Sequence, residues 1–416
     1  MTTRPRALAT LPSLAAIHPV EHVFWPEEAS SVIRFPWQNP KTAVRLALFY
    51  GAAEFLRSGF FVGLFPLFGL EYLKLPLSTL GLLTSLHYGS EALTKVGAVW
   101  LSNRLPFGLG FLASAALAFL TFWGFFLLPP YAFPLIAVAW GIATAPIWPR
   151  IAAYLMQTAK PEHQGRAVTY AWLIVAPLIG LGSFGVGFLS KHELAWGQRA
   201  LAVGGVLLLL LALGVVRLRF PVAEVKRKGY AYRRFLILII PAFLQNLAPH
   251  LLTTVLFPFL KQAEIGFLPL LVSVALGGGT FLVLLRPVAR FADRRDPALV
   301  TGLSTLLAAL AFGGLALGDP NRALYWTAVC IGAALALYIP GWNALIVRSL
   351  PQNERGEGWG AISTVSGAAI AVGPAVGAFA WDLLGPQGPF LLGLSLLVAL
   401  LFYYLVFLRR IMAGLK

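Results

Sequence analysis

Glu54 and Arg57 stand three residues apart in the stretch YGAAEFLRSGFF (50–61), and His87, Glu91 and Lys95 follow one another at intervals of four. A spacing of three puts an acid and a guanidinium on one helical face. Intervals of four keep the second set on one stripe that drifts by about 80° over roughly 12 Å. Carboxylates, a guanidinium and an imidazole so arranged can take up and release protons, or hold a polar ligand. They do not make a metal centre or a hydrolytic site. Cys330 is the only cysteine, and there is no His-Glu-x-x-His, no Gly-x-Ser-x-Gly and no acidic cluster. We expect no catalytic residue, no metal and no cofactor. A Walker-type Gly-Lys-Ser/Thr loop is also absent, which removes ATP binding through that motif.

The elements that carry these residues are membrane spans. Of the 416 residues, 58% are hydrophobic and 12% charged, and the mean hydropathy is +0.78, outside the range of a soluble globular chain. A helix needs roughly 20 apolar residues to cross about 30 Å of hydrocarbon. Twelve such stretches are read, at 44–71, 78–101, 107–128, 132–157, 166–190, 199–217, 235–260, 265–288, 298–318, 322–348, 358–384 and 388–408. Runs such as 207–213 and 391–401 are apolar all round, which fits helices and not barrel strands. The expected fold is an all-α polytopic membrane protein. The first 40 residues lack a long apolar core, so no cleaved secretory signal is expected.

A net charge of +16 raises the question of a nucleic-acid partner, and position answers it. Of 32 Lys and Arg residues, five fall in or at the edge of odd-numbered connections (Lys74, Lys191, Arg199, Lys261, Arg322) and three deeper within spans (Arg57, Lys95, Arg150). The other 24 lie in the N-terminal tail, the even-numbered connections and the C-terminal tail, or at the span ends next to them. That is the positive-inside asymmetry, with both termini cytoplasmic. No nucleic acid is expected, and the partner of this surface is the lipid bilayer of the cytoplasmic (inner) membrane.

Depth then sorts the intramembrane polar groups. Glu54 lies ten residues after the cytoplasmic start of span 1, about 15 Å deep, and Glu91 ten residues before the cytoplasmic end of span 2. The two acids share a level near the midplane, with Arg57 and His87 one turn further outward. Ionisable groups at such depth cost several kcal/mol and usually line pathways. Lys95 and Arg150 lie nearer the cytoplasmic end, where snorkelling is the competing explanation. Gln245, Asn246 and His250 in span 7 reach a similar depth, and Pro241 and Pro249 would break the helix there. Interhelical hydrogen bonding is their competing explanation. Charges in the first half against amides and one histidine in the second would give a cavity with one charged wall and one more apolar, suited to an amphiphile. Trp148 and Trp172 could stack on a ring or sugar, or serve packing.

Two cytoplasmic connections recur 190 residues apart. VWLSNRLPFG carries Asn103 and Arg104 where ARFADRRD carries Asp293 and Arg294, and KPEHQGRA carries Pro161 where LPQNERGE carries Pro351. Gly124 with Gly314 and Gly187 with Gly377 keep the offset. Six spans per copy leave both copies in the same orientation, a parallel repeat. The expected organisation is a cytoplasmic tail 1–42, a six-helix half 43–217, a basic linker 218–234 and a second half 235–416. On these motifs the chain resembles the major facilitator superfamily over nearly everything after residue 43. The resemblance implies alternating access, with Asn103, Arg104, Asp293 and Arg294 in gating loops and Gly373 and Pro374 in a gating helix. Asn103 and Pro106 depart from the family's usual Asp and Gly. Glu54, Arg57, Glu91, Trp148 and Trp172 are further similar to the headgroup pocket of the lipoteichoic-acid glycolipid flippases of that superfamily, a narrower resemblance resting on five positions.

The expected function is therefore a secondary active transporter, acting as a monomer, that moves a small-molecule or lipid substrate with protons as the coupling ion and sodium as the alternative. A glycolipid flippase and a proton/drug efflux antiporter are the alternatives within that class. Span 5 carries Ala176-Pro177 and scattered glycines where drug antiporters have a Gly-Pro-rich pattern, which disfavours the second. A transporter-fold sensor or a membrane-embedded enzyme is more distant.

Overall fold

The computed structural model describes residues 37–408 except 38, 103, 160–163, 219–231, 295 and 350–354. The N-terminal tail before Trp37, most of the basic linker and Asn103 therefore lie outside the described residues. The chain is helical almost throughout. α1 comprises Pro40–Ser58, a π-helical turn at Gly59–Leu64, and Phe65–Glu71. α2 is Leu77–Ser102 and α3 is Phe107–Leu127, while α4 joins Pro130–Ala132, Phe133–Thr144 and Ile147–Gln157. α5 joins Gln164–Gly180, a π-helical turn at Leu181–Val186 and Gly187–His192, and α6 is Leu194–Val215. α7 consists of Tyr232–His250 and Leu256–Gln262, with a turn between them. α8 is Phe267–Arg294, α9 Pro297–Leu317, α10 Pro320–Ser349 and α11 Arg355–Leu384; α12 is Gly388–Phe402, continued by a π-helical turn Tyr403–Leu408.

Ten of these helices are long and apolar enough to cross a membrane. The two others have physical reasons for falling short. α2 carries His87, Glu91 and Lys95, and α7 is interrupted after Pro249 and His250, where a proline supplies no N–H. Backbone groups in hydrocarbon must be satisfied within the element, and the small polar residues of α2 comply. Thr84 donates to the Leu80 carbonyl at 2.9 Å, and Thr94 donates to that of Ser90 at 2.5 Å. Chain-end polarity is met by side chains. Asn39 caps α1 by accepting from the Thr42 N–H at 3.2 Å, and Asp296 caps α9 by accepting from Ala298 at 3.0 Å, each followed by a proline.

The packing repeats with the sequence. α1 packs on α5 and α6, α2 on α4, and α3 on α4 and α6; six helices later α7 packs on α11 and α12, α8 on α10, and α9 on α10 and α12. The parallel two-fold repeat is thus visible in the contacts themselves. Lys74 and Glu264, again 190 residues apart, are the two non-glycine residues with positive φ among the described residues, both 55°, where α1 and α7 end. Glu71 and Lys261 also differ by this offset, and they form an ion pair between the halves. Equivalent residues that touch each other must lie on the repeat axis.

Two further polar ties between the halves lie at the end formed by the odd-numbered connections. Lys191 donates to the Ile265 carbonyl, and the Ser78 N–H donates to Asp382 at 3.0 Å. α2 and α11 pack closely further down, with Ser85 accepting from the Ala375 N–H at 3.0 Å. The Glu71–Lys261 pair is half-exposed, so it contributes about 0.2–1 kcal/mol to this closure. Glu71→Gln should therefore open the odd-numbered end up to about fivefold more often. Because the pair lies on the axis, Glu71→Lys with Lys261→Glu should restore closure. Distances between spin labels at Tyr72 and Gln262 would report both; an unchanged distribution in the single variant would deny the pair a latching role.

Candidate functional site

Arg57 is the hub. Its side chain projects from α1 beside α2, donating from Nη2 to Glu54 Oε2 at 2.5 Å and from Nη1 to Glu91 Oε2 at 2.7 Å. Lys95 lies 3.5 Å from the other oxygen of Glu91, so negative and positive groups alternate along Glu54, Arg57, Glu91 and Lys95. This chain is neutral in sum. A guanidinium spans two carboxylates because its donors form a planar fork; an ammonium cannot copy that geometry. The Arg57 guanidinium also sits 5.1 Å from the centre of the Tyr88 ring. Charge falls from shielded to open along the set, from a Glu54 side chain 8% exposed to a Lys95 side chain 43% exposed.

These groups line a cavity of about 330 Å³ together with Tyr50, Trp172 and Ser183 from the first half and His250, Thr253, Gly367 and Ile370 from the second. α2 is brought into place by α4. A Cβ on Gly141 would fall 2.3 Å from the His87 carbonyl oxygen, so only glycine allows this approach. One wall is charged, and the facing wall of histidine, threonine, glycine and isoleucine is not. Tyr50 stacks on Trp148 with centroids 4.9 Å apart, and Trp148 lies 5.1 Å from Trp172. Trp172 reaches the cavity, and Trp148 backs it from outside the lining.

The structure thus brings together Glu54, Arg57, Glu91, Lys95, Trp172 and His250, and sets the other sequence candidates elsewhere. His87 is fully buried, stacked on Phe61 at 4.2 Å and beside Trp140, with the Ala137 backbone as its polar neighbour. The stripe of α2 explains this. Each step of four turns the side chain about 40°, so Glu91 and Lys95 face the cavity while His87 turns into the core. Arg150 packs its guanidinium 4.8 Å from the Phe107 ring and 5.2 Å from that of Phe111, inside the α3–α4 contact and away from the cavity. Gln245 accepts from the Tyr404 hydroxyl at 3.1 Å, and Asn246 donates to Ser366 at 3.1 Å. Both amides tie α7 to its neighbours. Gly373 and Pro374 lie where α11 meets α7 and α2. Arg104 occupies the exposed turn after α2, while Asp293 and Arg294 end α8 with side chains outside the described residues.

Sequence reasoning missed Tyr50 and Tyr88. The signal was their register, four before Glu54 and three before Glu91, which places each hydroxyl-bearing ring on the face of an acid.

A family model described as the Major Facilitator Superfamily matches residues 46–374 and again 287–412. Among curated proteins, the proton-coupled antiporter flippase LtaA of Staphylococcus saprophyticus is 25% identical over 313 residues, covering 70% of this chain and 76% of its own. That of Staphylococcus aureus strain USA300 is 21% identical over 361 residues, covering 82% and 88%. Among solved structures, a bacterial homologue of the human lysosomal transporter Spinster, inward-facing and unoccupied, superposes with a TM-score of 0.68 at 14% identity, covering 88% of this chain and 96% of that one. The nucleoside transporter NupG gives 0.68 at 14% identity, covering 87% and 98%. These two likenesses speak to the fold alone.

Proposed function

The chain belongs to the major facilitator superfamily of transporters, and from that premise we propose that it is a proton-coupled flippase for a lipid with a sugar headgroup. The observation that carries this reading is the Arg57 fork, held by two carboxylates in a cavity whose facing wall is uncharged. A headgroup with hydroxyls can exchange hydrogen bonds with the charged chain while its ring lies on Trp172. The acyl chains need an apolar way out. α5 and α8 touch through Phe188 and Phe267, centroids 4.3 Å apart, near the odd-numbered end, whereas Gly180, Gly278 and Gly279 further along them face open space. The relatives named as proton-coupled antiporter flippases support the same reading.

In this account the substrate and proton pathway comprises Glu54, Arg57, Glu91, Lys95, Trp172 and His250. The loops at Asn103–Arg104 and Asp293–Arg294 gate it, the even-numbered connections and both termini face the cytoplasm, and the halves 43–217 and 235–416 rock about the linker 218–234. Closure at the odd-numbered end makes the described conformation the inward-facing one. Protonating Glu91 would weaken its pairs with Arg57 and Lys95 together, leaving Arg57 to Glu54, and so change which conformation is favoured. Native mass spectrometry tests the ligand. Glycosylated diacylglycerol should co-purify with the parent and be lost in Arg57→Ala, whereas equal retention of unglycosylated lipid would refute the headgroup reading.

A further inference from the structure

We propose that His250 Nε2 is the hydrogen-bond acceptor through which the second half of the fold holds a substrate hydroxyl; this assignment rests on the reading of the cavity as a sugar-headgroup site. The His250 Nδ1 atom lies 2.7 Å from the backbone oxygen of Asn246, one turn earlier on α7. A carbonyl oxygen can only accept, so Nδ1 carries the hydrogen and donates it. In the neutral ring that leaves Nε2 as a bare lone pair. His250 lines the cavity, so Nε2 is the atom it has left to offer there.

Two further observations make this a built position. His250 ends the first part of α7, and the chain turns beyond it, with the Thr253 N–H donating to the His250 carbonyl at 3.2 Å. α11 presses on that turn. A Cβ on Gly373 would come within 2.6 Å of the His250 Cβ, and one on Gly377 within 1.9 Å of the Leu251 oxygen. Backbone and ring are therefore both fixed, the first by glycine contacts and the second by the bond to Asn246. Thr253 is the other polar side chain among the residues that the second half contributes to the wall, and its hydroxyl carries a hydrogen, so His250 alone presents an acceptor without one. Of the described residues that α7, its turn and α11 contribute to the lining, His250, Thr253, Gly367 and Ile370, it is the only titratable one.

The chemistry selects hydroxyls over anions. The opposite wall offers donors from Arg57 and Lys95, so a hydroxyl can accept there and donate to Nε2, bridging the halves. A deprotonated phosphate or carboxylate has only acceptors and would set lone pair against lone pair. The contact makes His250 a specificity-determining residue, tying substrate recognition to the half whose cavity wall lacks acidic and basic side chains other than this ring.

The test uses diglucosyl-diacylglycerol and its monodeoxy analogues, with binding measured to the full chain in nanodiscs. The parent should bind at least one monodeoxy analogue about tenfold more weakly, as expected when a buried acceptor loses its donor. In His250→Phe that penalty should shrink to about twofold or less while the other deoxy penalties persist. His250→Asn, which keeps a donor at the Nδ1 position and no atom at Nε2, should behave like Phe, and His250→Gln, whose amide oxygen reaches the Nε2 position, should keep the penalty. An unchanged deoxy pattern in His250→Phe and His250→Asn would overturn the assignment and leave the headgroup reading standing. A parent that binds no glycolipid at all would bring down both.

Discussion

Arg57→Lys is expected to abolish transport nearly as completely as Arg57→Ala, with a loss of about 100-fold or more in each. Arg57 bonds two carboxylates at once through Nη1 and Nη2. A lysine ammonium at the end of a flexible stem can meet one of them well, leaving the other partly buried and unpaired. Charge-assisted hydrogen bonds are worth about 1.5–3 kcal/mol each, so losing one bond and the planar donor set costs roughly two orders of magnitude. In Arg57→Ala Glu54 loses its cation, and Glu91 keeps only Lys95 at 3.5 Å. The geometry also fixes the outcome of a double variant. Glu54→Gln with Arg57→Gln removes a matched pair, yet Glu91 is left with Lys95 at 3.5 Å as its only partner. That variant should remain inactive. Transport near the parent level in either the lysine or the double variant, at equal expression, would reduce the set to a structural pair.

Glu91→Gln should uncouple the protein. Glu91 accepts from Arg57 of α1 and lies within reach of Lys95 of α2, so its charge attracts a cation from each helix. A proton there removes the attraction to both; the glutamine variant is fixed in that state. Proton-driven net flipping should fall to background, about 100-fold or more below the parent if coupling rests on this carboxylate. Exchange of lipid down its own gradient should persist. Glu54→Gln should be milder in coupling, because Glu54 is the more shielded acid and pairs with one cation, Arg57, where Glu91 pairs with two. A pH gradient that still drives Glu91→Gln at the parent rate would move the coupling site elsewhere.

The fold was legible because hydrocarbon leaves the backbone few choices, and the repeat was legible because the 190-residue offset survives in loops. The midplane match of Glu54 with Glu91 could be read by counting, since rise per residue is fixed. Orientation could not. His87 shares the stripe of Glu91 and Lys95, yet a rotation of about 40° sends it into the aromatic core. Arg150 is at a plausible depth, but α4 turns it onto Phe107 and Phe111. Gln245 and Asn246 were candidates on depth, and the structure sets each against a neighbouring helix, α12 and α11, as amides within a bundle often are. The Glu71–Lys261 tie was within reach of the sequence, because equivalent positions of opposite charge near a repeat axis can meet. Tyr50 and Tyr88 were hidden because a tyrosine in an apolar helix looks like packing until its neighbours are placed.

The most direct measurement reconstitutes the full chain in liposomes that hold a headgroup-labelled diglucosyl-diacylglycerol and follows the label's exposure as a pH gradient is imposed. The account predicts net movement of the label to one leaflet, driven by the gradient, absent in Arg57→Ala and independent of the gradient in Glu91→Gln. Flipping by the parent that ignores the pH gradient, or that moves unglycosylated diacylglycerol equally well, would contradict it.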